Sequence, residues 1–258
     1  MRRFRRTFGL QATAAKQPSR GRKPGRLRRP LGTILVTLGV GLLAWAVVVW
    51  AWQDPFTSLY TRWQQHELSQ RYDTLAARYR SHVGNAANLA AVTTQLHAEA
   101  RAYRRRSRRG EPIGKIVIPR LDLHMILVNG TDHDSLRKGP GRDLRTFMPG
   151  EGELVYVAGH RTTYLAPFSH IDSLRKGDRV TLEMPYATFA YVVTGHRIVA
   201  ADDLAVLRTQ GREQLTLQAC HPRFFATQRY LAFGRLVSVV LRGTTQVSPT
   251  ALAAAARA

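Results

Sequence analysis

This chain is nearly devoid of cysteine and short of acids. Among its 258 residues Cys220 is the sole thiol, so no intrachain disulfide can form. No Cys/His spacing of the zinc-binding kind occurs. Acidic residues number 17 against 39 lysines and arginines, for a formal net charge of +22. Asp132, Asp134, Asp202 and Asp203 are not embedded in a loop of calcium-binding spacing, and solvated turns account for them. No metal and no cofactor is expected.

The excess of positive charge is uneven. Residues 1–30 carry eleven Lys/Arg and no acid, whereas residues 111–258 carry eighteen against thirteen. The basic tail has no apolar periodicity and is expected to be disordered. A uniformly basic chain would suggest a nucleic-acid partner. Here half of the net charge sits in that tail, and a topological role explains it without nucleic acid.

Charge is missing altogether from Leu31 to Trp52. Twenty-two residues of helix span about 33 Å, enough for a bilayer core of about 30 Å. Trp45, Trp50 and Trp52 crowd its second half, where an interfacial aromatic belt belongs. The twenty residues before Leu31 hold seven Lys/Arg, while residues 53–72 hold two. The positive-inside rule therefore puts the N-terminus in the cytoplasm and the rest outside the cell, on a single-pass anchor. A cleaved signal peptide is the competing reading, but its apolar region is normally shorter.

From Pro55 to about Tyr103 the pattern is helical. Leu59, Trp63, Leu68, Tyr72, Leu75 and Tyr79 recur at spacings of three to five, Gly84-Asn85 is a break, and an Ala-rich run follows. Residues 53–112 read as a helical stalk ending in a basic linker, Arg104 to Gly110. A lid reaching the active site is the sharper alternative. From Ile113 the chain turns to short apolar alternations punctuated by Gly, Pro and Asp, which indicates a mainly β domain, a closed barrel or a sandwich, over residues 113–243. Nothing in residues 244–258 requires folding, and a flexible C-terminal tail is expected there.

The strand-like L-T-L-Q-A-C ends in Cys220, with Pro222 just beyond it. The next alternation begins at Arg229, and upstream V-A-G-H-R-T-T-Y ends another strand at His160. A single thiol kept in an exported protein suggests that its nucleophilicity is wanted, a small buried hydrophobe being the alternative. A nucleophilic thiol needs a proton partner and an oxyanion holder. Cys220, His160 and Arg229 are the catalytic candidates, with Thr162, Thr163 and Tyr164 as groove residues that bind substrate. Arg223, in the loop, is the rival to Arg229. His221 adjoins Cys220 but should face the other way along a strand. His196 is taken as structural or exposed.

These motifs, with G-K-I-V-I-P-R-L and A-P-F-S-H-I-D-S-L-R-K-G-D, resemble the sortases, most closely class E sortases of high-GC Gram-positive bacteria. The likeness covers roughly residues 113–242. Gln218-Ala219 departs from the Thr-Thr commonly found before the cysteine. The resemblance implies an eight-stranded β-barrel and a cysteine transpeptidase. Its thioacyl intermediate would form on a C-terminal sorting signal of L-P-x-T-G type, or L-A-x-T-G in class E. A cell-wall or pilin amine would then accept the secreted protein. A non-catalytic barrel that binds envelope peptides, and a peptidase that only hydrolyses, are the alternatives.

Overall fold

The computed structural model describes residues 28–52, 55–81, 83, 89–242 and 246–247. It divides into two compact units, residues 1–47 and 48–258. Of the expected disordered tail, residues 1–30, the last three are helical, and residues 1–27 lie outside the described residues, as does the break at Gly84-Asn85.

Helix α1 runs from Arg28 to Trp52. Within it Pro30–Val48 has a mean hydropathy of 2.2, and none of that stretch is buried. By length and composition it can cross a membrane. Leu31, Leu35, Leu38 and Leu42 all lie open. A helix apolar on every side has no water-facing stripe, as a lipid-embedded segment requires.

The larger unit is a closed barrel. Its strands are β1 (Pro112–Ile118), β2 (Leu123–Asn129), β3 (Gly141–Arg142), β4 (Leu154–Ala158), β5 (Arg179–Glu183), β6 (Ala187–Ala200), β7 (Gln214–His221) and β8 (Gln228–Leu241). They follow one another around the wall as β6-β5-β1-β2-β3-β4-β7-β8, and β8 pairs back onto β6 to close the ring of eight. Two neighbours, β2–β3 and β4–β7, are parallel. Closure leaves no unpaired edge in the ring, and the inward residues fill its centre. Ile116, Val157, Phe189, Leu217 and Val239 are all essentially inaccessible.

Where short strands were expected, β6 is a long one of 14 residues. β6 continues through register shifts at Ala190/Tyr191 and Val193/Gly195. Bulges of this kind let a long strand bend around a barrel. Gln246–Val247, placed in the expected flexible tail, forms β9 against Val239 and Val240.

The segment expected to be a free stalk folds onto the barrel. Helix α2 (Pro55–Arg78) buries Leu68 and Tyr72 against Ile126 and Val128 of β2. Its Gln65 bonds both ways to the β2 main chain: the amide donates to Ile126 O at 3.2 Å, and Oε1 accepts from Ile126 N at 2.7 Å. Leu59 and Trp63, read as part of the same apolar face, remain exposed. Helix α3 (Leu89–Arg106) contributes Leu96, Ala100 and Tyr103 to the central core. Arg104 to Arg106, assigned to a linker, form its last turn, and Arg104 clasps Glu151 at 2.7 Å.

Candidate active site

Strands β4 and β7 run side by side, with Val157 beside Leu217 and Ala158 beside Gln218. Past the end of β4 the pairing continues, Gly159 N–H donating to Gln218 O at 3.0 Å. One residue further along is His160 on one chain segment, and two residues past Gln218 is Cys220 on the other. Across β7 on its far side lies β8, in antiparallel register, with Cys220 directly opposite Arg229. Such cross-strand pairs put their Cβ atoms about 4.5–5.5 Å apart on one face. Three residues from distant parts of the sequence thus meet at one end of one patch of wall.

Alternation decides which way they point. Val155, Val157, Leu215, Leu217 and Ala219 belong to the core. Their neighbours Tyr156, Gln218 and Cys220 therefore face outward. Tyr156 and Gln218 confirm the shared face by a side-chain hydrogen bond of 3.3 Å. The Cys220 thiol is half-buried and free. It lies neither in the barrel's filling nor fully in solvent.

His160 is fixed at both ends. Its carbonyl accepts from Phe168 N at 3.1 Å, and its ring lies 5.1 Å from that of Tyr164. Nε2 is buried and has no hydrogen-bond partner among the described residues. Burial, and secondarily the neighbouring His133, hold the imidazole below its ordinary value. The neutral ring is therefore the major form at pH 7.

The Arg229 guanidinium is steadied by the loop it opens from, Nη1 donating to Ala226 O at 2.7 Å and to Gln228 O at 2.9 Å. Arg223 lacks this register with Cys220. It sits in the loop with its guanidinium 5.8 Å from the Phe224 ring. Tyr156 feels Arg229 as well: burial raises its phenol above the ordinary range, Asp143 adds to this, and Arg229 acts against it.

Tyr164 forms the wall beside His160, in a stretch where Tyr164, Leu165 and Ala166 all have positive φ. Arg137, which follows the short helix α4 (His133–Leu136), lies between the Tyr60 and Tyr164 rings at 5.0 and 5.7 Å. Thr57 Oγ1 accepts from Tyr164 N at 3.2 Å. The first turns of α2 therefore back the wall of the site. Thr163 spends its carbonyl on the turn, accepting from Ala166 N at 2.8 Å, and Thr162 precedes it in the same loop.

His221 turns away from the thiol, its Nδ1 3.0 Å from Arg161 Nη1. His196 stacks on Tyr230 at 5.3 Å and is exposed. Asp132 caps α4 by accepting from Ser135 N, and Asp203 accepts from Ala205 N, so both carboxylates serve turns. No group of His, Cys, Asp and Glu suited to holding a metal occurs among the described residues. Sequence reading missed Arg161, although G-H-R was in view. The signal was the alternation already applied to His221.

A thiol at the end of one strand, an imidazole beside it and a guanidinium across the next strand place the protein among barrels equipped for thiol chemistry. Residues 116–237 match the family model described as Sortase domain. Sortase D of Bacillus subtilis is 32% identical over 133 residues, which cover 50% of this chain and 66% of that protein. Sortase SrtE1 of Streptomyces coelicolor is 24% identical over 248 residues, 88% of this chain and 63% of that protein. The match thus spans less than two thirds of either relative's length. Among solved structures, the Clostridium perfringens Sortase D5 transpeptidase shares the fold. Its TM-score is 0.55 at 20% identity, over 67% of this chain and 98% of that one. Residues 116–237 are thus a domain of the sortase family.

Proposed function

We propose that the protein is a membrane-anchored cysteine transpeptidase. On this reading α1 crosses the membrane with the N-terminus in the cytoplasm and holds the barrel outside the cell. The observation that carries the proposal is the register that sets Cys220 opposite Arg229 and beside the residue after Gly159.

In the first half-reaction the Cys220 thiolate attacks the scissile carbonyl of a C-terminal sorting signal. The C–N bond breaks, and the departing amine leaves with a proton from His160. An acceptor amine then attacks the thioacyl carbon, returns a proton to His160 and releases the thiolate. Arg229 holds the carbonyl oxygen as negative charge develops on it, a role suited to a planar guanidinium. The reacting form is the thiolate–imidazolium pair. Tyr164, with Thr162 and Thr163, lines the substrate groove beside the imidazole. The likeness to Sortase SrtE1 across most of the chain supports class E, and the class E resemblance of the sequence motifs implies an L-A-x-T-G signal.

The test is to incubate the full-length protein in detergent with L-A-x-T-G and L-P-x-T-G peptides and an added amine. Amine-linked product supports the proposal. Cleavage that amine never diverts makes the protein a hydrolase, and no cleavage of either peptide makes it a binding barrel.

A further inference from the structure

Two dipeptides lie side by side where β4 and β7 end: His160-Arg161 and Cys220-His221. In extended chain, neighbouring side chains leave on opposite faces. His160 and Cys220 take the outer face. Arg161 and His221 take the other, and there they meet. Arg161 Nη1 donates to the Cys220 main-chain carbonyl at 3.3 Å as well as to His221 Nδ1 at 3.0 Å. Nη2 pairs with Asp172 Oδ2 at 2.8 Å. Nε reaches Ser169 O at 3.5 Å, and the guanidinium lies over the Tyr230 ring at 5.9 Å. The residue is only 3% exposed.

A guanidinium has donors and no acceptor, so His221 Nδ1 accepts and that ring carries its proton on Nε2. One buried cation therefore grips the strand end that bears the thiol, the loop that follows the imidazole, and a carboxylate that offsets its charge. We infer that Arg161 is a positioning residue for the reacting pair: by tying the Cys220 main chain to the segment that begins at His160, it sets the distance between sulfur and imidazole, with His221 as its second grip. The inference rests on the acyl-transfer reading of this site. It gives a role to the third letter of G-H-R and to the residue after the cysteine.

Lysine at 161 keeps the charge but cannot serve the carbonyl, the imidazole and the carboxylate together. In full-length protein, Arg161→Lys should lower kcat about ten- to a hundredfold, the cost of a slightly misplaced reacting pair, with KM within about twofold and the melting temperature little changed. His221→Leu should act similarly, whereas His221→Asn, which keeps an acceptor, should restore most of the rate. The double variant Arg161→Lys/His221→Leu should be no worse than the poorer single variant, because the two residues share one contact. Alkylation of Cys220 by iodoacetamide, which needs no peptide, should slow in Arg161→Lys and His221→Leu but not in His221→Asn. Folded Arg161→Lys with wild-type kcat and alkylation would overturn the inference. So would losses that multiply in the double variant, or a fall in kcat fully explained by unfolding. If wild type transfers no peptide, the transpeptidase reading fails, and the alkylation series still decides whether Arg161 positions the thiol.

Discussion

Along β7, Leu215, Leu217 and Ala219 disappear into the barrel while their neighbours Gln218 and Cys220 stay half open. On β4 both sides are covered: Val155 and Val157 face the core, and Tyr156, on the outer side beside Gln218, is buried as well. One wall has an inner side that holds the fold together and an outer side to which the proposed reading assigns the chemistry. The two sides are separated by no more than the pleat. Stability and reactivity can thus be altered independently by residues adjacent in sequence.

The sharpest way to break this comparison is on the outer side. Cys220→Ala should reduce transfer by at least about a hundredfold, the scale of losing a nucleophile, while the melting curve stays near wild type. Appreciable residual turnover in a single-turnover assay would remove Cys220 from the role. Arg229→Lys should cost about a hundredfold in kcat, comparable to loss of an oxyanion donor, again without unfolding. On the inner side, Leu217→Ala should destabilise the barrel by about 2–5 kcal/mol in denaturant titration. Its kcat per folded molecule should be unchanged; a kcat that fell with stability intact would mean the two sides are not separable.

The smallest effect concerns His160. Burial and His133 lower its folded-state pKa. As pH falls below the ordinary imidazole range, the unfolded chain therefore takes up this proton before the folded one does. Stability from this group is present above that range and declines as pH drops through it. Proton NMR of the imidazole should show a titration midpoint below the ordinary range, and His133→Asn should move it upward. An unmoved midpoint would leave burial as the sole cause.

Much of the outer side was legible in the sequence. Cys220 and Arg229 each stood at a strand boundary marked by alternation and Pro222, and V-A-G-H closed another such run. What alternation cannot give is pairing: that β4 lies parallel beside β7, and that Ala158 meets Gln218, is a long-range fact. The packing of α2 was hidden for a related reason. Leu68 and Tyr72 are spaced as one helical face, but their partners Ile126 and Val128 lie on the outside of β2, more than fifty residues away. Ala100, in a run read for its helix-forming tendency, is fully buried. Its small side chain allows the helix to sit close to the barrel. The Arg161 contacts went unread because G-H-R drew attention to the histidine.

The docking of α2 and α3 redraws the smallest piece of this protein that can stand alone. Cutting at Pro112, where the first strand begins, would take Leu96, Ala100 and Tyr103 out of the central core and leave a gap open to water. It would also strip Thr57 and Tyr60 from behind Tyr164. A soluble version should therefore start near Pro55, so that both helices stay with the barrel.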